Sequence, residues 1–158
     1  MPAPVDTVES FYAHALAIER EAADRYREFA TYFGERGEAV LAAICEMLAR
    51  MEAEHFGQLA RASEGLVLPG IDRAAYGWDV ETPVESGPRR AFYRLSEPEH
   101  LLEVALEGEM RAHRFFAWIA QTTNDATVEA LARGMAEEEE RHVRWVTRAI
   151  ALRRPLPT

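Results

Sequence analysis

The sequence predicts an all-α protein, an antiparallel four-helix bundle with a long crossover between its second and third helices. Three observations predict it. Four long segments carry apolar residues at helical spacing, and none sustains the alternation of a strand. Short turns join the first segment to the second and the third to the fourth. Between the second and third lies a stretch, from about Glu64 to Leu95, in which the helical pattern stops.

Helix A is expected from about Thr7 to Phe33, with Asp6 as its cap and Glu9 placed for a reciprocal bond. Phe11, Ala15, Ile18, Ala22, Phe29 and Phe33 make its buried stripe. Gly34 and Gly37 bracket a turn, and helix B follows from about Glu38 to Ser63 with Leu41, Ile44, Leu48 and Leu59 inward. The 64–95 stretch contains Gly-Leu-Val-Leu-Pro-Gly and Glu-Thr-Pro-Val-Glu-Ser-Gly-Pro, both loop-like, with a short helix expected near Arg89 to Tyr93. Connections this long are uncommon inside compact domains, and a crossover along a whole bundle accounts for it. Helix C opens at Ser96-Glu97-Pro98-Glu99, a capping box with Pro in the first turn, and runs to about Gln121. Thr122 to Asp125 forms a turn, helix D continues to about Leu152, and Arg153 to Thr158 is a tail.

The chain has 158 residues, of which 48% are apolar, so one domain over 1–158 with a substantial core is expected. Acidic residues outnumber basic ones 27 to 18, for a net charge of -9, which argues against a nucleic-acid backbone as partner. Solubility alone explains such acidity, although it also suits metal cations. Cys45 is the single cysteine, which excludes an internal disulfide and a Cys-x-x-Cys metal site. It reads as a small buried side chain. With no secretion signal and no apolar run long enough for a membrane span, the expected location is the cytoplasm.

Each helix carries a glutamate where its apolar stripe should continue. Glu19 follows Ala15 by four and precedes Ala22 by three; Glu52 stands between Leu48 and His55; Glu109 lies between Leu102 and Phe116; Glu139 stands between Met135 and His142. Steps of three and four keep residues on one helix face, so these groups point at the core. Their heights also match. Glu19 is 15 residues before Gly34 and Glu52 is 15 after Gly37, while Glu109 and Glu139 each stand 15 from Asn124. At about 1.5 Å of rise per residue, each pair lies level, roughly 22 Å from its turn.

Ionised carboxylates in a bundle core repel each other and lose hydration, at several kcal/mol per ion. Two divalent cations would neutralise four of them. Glutamate oxygen and imidazole nitrogen suit iron or manganese, and zinc accepts the same ligands. A single Glu-x-x-His is weak evidence, because both residues are ordinary on surfaces. Two, each with a level partner glutamate on the preceding helix, form the pattern of di-iron and di-manganese carboxylate bundles of the ferritin-like class. The alternative is a solvated run of Glu at 137–140, where Glu138 could replace Glu139 if helix D rotates.

These residues resemble the rubrerythrin family. Ala17-Ile18-Glu19 through Ala22 to Tyr26 and Phe29-Ala30 looks like its first ligand helix, and Met51-Glu52-Ala53-Glu54-His55 like its second. Ala105-Leu106-Glu107-Gly108-Glu109 resembles the third and Glu138-Glu139-Glu140-Arg141-His142 the fourth. The resemblance implies two iron ions, with Glu52 and Glu139 as bridges and Glu19, Glu109, His55 and His142 as terminal ligands. The four glutamates would then carry the chemistry, reduction of peroxide or dioxygen with oxidation of ferrous iron. Hydroxylation of an organic or RNA-borne substrate and non-enzymatic iron storage are the alternatives on the same scaffold, and homodimerisation is expected.

Two departures from the family stand out. This chain has no cysteines for a rubredoxin-like site, so an external electron donor is implied. Where rubrerythrins place a further glutamate after the third-helix ligand, this chain has Ala112, next to His113. His113 reads as packing or a support for a ligand more readily than as a ligand. Tyr26 follows Glu19 by seven residues on one face and could bond a ligand or carry a radical, with core packing as the commoner role. Trp118 and Trp145 read as packing aromatics, His14 and His100 as ordinary residues.

Overall fold

The computed structural model describes residues 2–72 and 97–153. The described residues form four helices: α1 (Val8–Glu35), α2 (Ala39–Ala62), α3 (Pro98–Thr122) and α4 (Ala126–Arg153). α1 packs along α2 and α3 along α4 as two hairpins. The short helix expected at Arg89 to Tyr93 and the cap expected at Ser96 lie outside the described residues.

The first turn of α1 departs from the sequence reading. Its cap is Thr7, whose backbone is extended and whose Oγ1 accepts the Ser10 N–H at 3.1 Å. Asp6 is engaged elsewhere. Its carboxylate accepts the Asn124 backbone N–H at 2.8 Å and the Thr123 hydroxyl at 3.2 Å, tying the start of α1 to the α3–α4 turn. At the other end of α1, the Glu38 N–H bonds to the Phe33 carbonyl at 2.9 Å and the Gly37 N–H to the Gly34 carbonyl at 3.2 Å. That double closure needs a left-handed residue between the helices, supplied by Gly37 at φ +73. Pro98 opens α3, where the Glu97 side chain makes no capping bond, and Asp125 caps α4 by accepting the Val128 N–H at 2.9 Å.

The apolar core falls into two clusters, and their membership fixes the direction of every helix. One contains the end of α1 (Phe29, Phe33), the start of α2 (Leu41), the start of α3 (Leu101, Leu102) and the end of α4 (Val146, Ile150). The other contains the start of α1 (Phe11, Ala15), the end of α3 (Phe116, Ile119) and the start of α4 (Val128, Ala132), with Leu59 of α2 packed against it. Hence α1 and α4 run one way and α2 and α3 the other. The chain leaves α2 at one end and enters α3 at the opposite end, as a crossover requires. Leu66, Leu68 and Ile71, just past α2, lie on the cluster where that crossover begins. Fully buried Phe11, Phe29, Phe33 and Phe116 each contribute about 2–3 kcal/mol of apolar burial.

Cys45 is buried, and burial pushes its thiol up to about 12, in keeping with an inert packing role. Trp118 packs beside Phe115 as expected. Trp145 does not: it is 40% exposed, with the Arg148 guanidinium 5.8 Å over its ring. No helix among the described residues is long and apolar enough to cross a membrane.

Candidate metal centre

A polar layer separates the two apolar clusters. Each glutamate sits between a residue of one cluster and a residue of the other: Glu19 between Ile18 and Tyr26, Glu52 between Ala49 and Leu59, Glu109 between Ala105 and Ala112, Glu139 between Ala136 and Val146. Packing on both sides therefore holds all four carboxylates inward, and all four are buried together with His142. His55, one turn after Glu52, reaches the same layer but keeps a 20% exposed side chain.

The six residues singled out by spacing come together. The His142 Nδ1 lies 2.7 Å from Glu52 Oε1 and 3.4 Å from both Glu109 Oε2 and Glu139 Oε2. The His55 Nδ1 lies 3.7 Å from Glu19 Oε2, and the two imidazoles stack with centroids 5.4 Å apart. Among the described residues, two compact groups drawn wholly from these six could each chelate one ion: Glu19, Glu52 and His55, and Glu52, Glu109, Glu139 and His142. Glu52 belongs to both.

Hydrogen bonding leaves this cluster incomplete. Both oxygens of Glu19, both of Glu52, the His55 Nδ1 and both nitrogens of His142 are buried with no hydrogen-bond partner. Buried polar atoms are nearly always satisfied, and leaving one unsatisfied costs about 1–3 kcal/mol. The close approach of His142 Nδ1 to Glu52 thus lacks the directionality of a hydrogen bond. Donor atoms that crowd together without bonding one another fit a set built to converge on cations.

The electrostatics agree. Burial, reinforced by the neighbouring Glu52 carboxylate, pushes Glu19 up to about 8. Burial raises Glu52 to about 7, and raises Glu139 further, helped by the Glu19 and Glu109 charges. For His142, burial opposes the charged form, but the Glu109, Glu139 and Glu52 carboxylates outweigh it and raise its proton affinity. Burial also works against ionised Glu109, yet the nearby His142 ring, the Glu139 carboxyl and the Tyr26 hydroxyl hold it down at about 2. Without cations the layer keeps protons that a free carboxylate would release near pH 4.5.

The other residues weighed from sequence find these places. Tyr26 is no mere packing group: fully buried, it donates its hydroxyl hydrogen to Glu109 Oε1 at 2.5 Å. His113 stays outside the cluster, since its Nδ1–H donates to the Ala136 carbonyl at 2.9 Å and pins α3 to α4. His14 is a core residue tilted against Phe115, and burial lowers it to about 4. α4 does not rotate to exchange Glu138 for Glu139. Glu139 faces the layer and Glu138 stands at its edge, 31% exposed, forming with His55 and His142 a third compact group. No spacing rule on a single helix identifies that contact, because Glu138 meets His55 across two helices.

A small cavity of about 20 Å³ reaches Glu109 and Glu139, bounded by Ile18, Glu21, Ala22, Arg25, Gly108 and Ala112. Its volume suits one water-sized molecule.

No family model and no curated protein matches the sequence. Among solved structures, the fold is similar to an uncharacterized conserved protein from Magnetospirillum magnetotacticum MS-1, with a TM-score of 0.80 and 31% identity over 96% of this chain and 99% of that one. Identity at that level over nearly the whole of both chains, on a ferritin-like four-helix bundle, places the protein in the family of that conserved protein.

Proposed function

We propose that the chain is a di-iron carboxylate oxidoreductase similar to the rubrerythrins, reducing hydrogen peroxide or dioxygen. The observation that carries this reading is the set of seven buried oxygen and nitrogen atoms without hydrogen-bond partners, on Glu19, Glu52, His55 and His142. Glu19, Glu52 and His55 would hold one ion, and Glu52, Glu109, Glu139 and His142 the other, with Glu52 shared. Bound ferrous ions would supply two electrons, one each, to the oxidant.

The chain's own residues set the conditions. Four carboxylates balance two divalent charges, and the raised proton affinities of Glu19, Glu52 and Glu139 give them protons to release when cations bind. Tyr26 fixes one oxygen of Glu109 and so orients the other. The small cavity beside Glu109 and Glu139, lined by Ala22, Gly108 and Ala112, is in keeping with an oxidant as small as peroxide or dioxygen. Ala112 stands where rubrerythrins carry an extra glutamate, so a ligand exchange at that position plays no part. With Cys45 buried and alone, electrons would arrive from a separate donor.

Anaerobic ferrous titration, followed by separate additions of peroxide and dioxygen under optical monitoring, tests the proposal. Two equivalents bound and rapid oxidation by either oxidant support it; inertness to both removes the oxidoreductase reading. Glu52→Ala should abolish two-metal binding and leave helicity intact. Unchanged stoichiometry would defeat its role as the shared ligand.

A further inference from the structure

His55 presents its two ring nitrogens to different surroundings. The Nδ1 is buried without a hydrogen-bond partner, 3.7 Å from Glu19 Oε2, whereas the Nε2 lies 3.6 Å from Glu138 Oε2. Glu138 is itself held: Arg141 Nη2 sits 2.7 Å from its Oε1, which leaves Oε2 for the imidazole. The ring's plane is limited on the other side by His142, stacked at 11°. A chain of contacts thus runs Arg141–Glu138–His55–Glu19, from the surface into the polar layer.

We propose that Glu138 is a positioning residue of the metal centre, acting through His55; the inference rests on the di-metal reading above. A neutral imidazole that directs one nitrogen lone pair at a cation carries its proton on the other nitrogen. A carboxylate beside that N–H selects the tautomer, restrains ring rotation and makes the inner nitrogen a better donor. His55 needs this most, because it is the one member of the six with appreciable solvent exposure. His142 receives no such support, since its Nε2 is buried and has no hydrogen-bond partner. The two halves of the centre are therefore unequal. The half built on Glu19, Glu52 and His55 depends on Glu138, and the half built on Glu109, Glu139 and His142 does not.

The test uses Co²⁺ with the full chain and its Glu138→Ala and Glu138→Gln variants. Both changes fall at a partly exposed position, and circular dichroism checks that the variants fold. The wild type should bind two Co²⁺ ions. In Glu138→Ala one of the two should weaken by roughly 10–100-fold while the other is unchanged. Glu138→Gln keeps an acceptor oxygen for the N–H and should recover most of that affinity. Paramagnetic proton spectra supply a readout that general destabilisation would not move: the shifted, exchangeable His55 N–H should persist in wild type and in Glu138→Gln, and vanish by fast exchange in Glu138→Ala. Equal affinities and an unchanged N–H signal in Glu138→Ala would overturn the positioning role alone. Failure of the wild type to take up two ions would overturn the di-metal reading, and this inference with it.

Discussion

Replacing Glu52 by Gln should stabilise the metal-free protein at pH 8 and remove its capacity for two cations. Burial raises the Glu52 carboxyl from 4.5 to about 7. At about 1.4 kcal/mol per tenfold change in proton affinity, holding it ionised costs the fold about 3 kcal/mol. The sign follows from the direction of the shift. With the folded-state value above the unfolded one, the cost is absent below pH 4.5, grows as pH rises, and is complete above about 7. Gln keeps the shape without the charge. Its carbonyl can accept from His142 Nδ1, which already lies 2.7 Å from Glu52 Oε1, and its amide hydrogens face the remaining carboxylates. A gain of about 2–3 kcal/mol in a domain of this size raises the melting temperature by roughly 4–12 °C. Thermal melts in chelator at pH 5 and pH 8, repeated with Co²⁺, read the outcome. The variant should melt higher in chelator at pH 8, lose most of that advantage at pH 5, and fall below wild type when Co²⁺ is added. An advantage equal at both pH values would refute the burial argument, and an unchanged two-ion stoichiometry would refute the sharing of Glu52.

Tyr26→Phe removes the hydroxyl donor from buried Glu109 and should cost about 1–3 kcal/mol in the metal-free protein, measured by denaturant titration. Because Glu109 is held down at about 2, its contribution is present above pH 4.5 and lost as pH falls through about 2; the variant should begin that loss at higher pH. Metal uptake should release protons from Glu19, Glu52, Glu139 and His142, all held above their ordinary values, so affinity keeps rising with pH past about 8. Calorimetry in two buffers of different ionisation heat would show at least two protons released per pair of cations near pH 6, and none if the ligands already stand deprotonated. Thr7→Ala should cost about 1 kcal/mol through the lost cap, whereas Glu97→Ala, which removes no capping bond, should leave the melting temperature where it was.

What the sequence made legible was whatever periodicity encodes. Helical spacing located all four helices, and equal distances from the two turns placed Glu19 level with Glu52 and Glu109 level with Glu139. Contacts between distant segments were not legible, because no local rule contains them. Tyr26 meets Glu109 across 83 residues and His113 meets Ala136 across 23, and neither separation is a helical step. Asp6 looked like a cap because it precedes an apolar run. It lost that role to Thr7 when the α3–α4 turn offered it a backbone N–H and a hydroxyl. Trp145 shows a different limit: an aromatic on an amphipathic helix is inward only if its face is, and Val146 took the inward position beside it.

The two apolar clusters explain why such a costly layer survives in the middle of the bundle. Each helix threads both clusters, so its glutamate is clamped from both sides by packing that takes no part in the chemistry. A carboxylate at a helix end could relieve its burial by turning to water; Glu19, Glu52, Glu109 and Glu139 have no such escape. Stability gained in the clusters therefore enforces the crowding of charge between them, and that crowding keeps protons on Glu19 and Glu52 that arriving cations must displace. It follows that substitutions trimming either cluster, for example at Phe33 or Phe116, should loosen the polar layer and weaken cation affinity without touching a single donor atom.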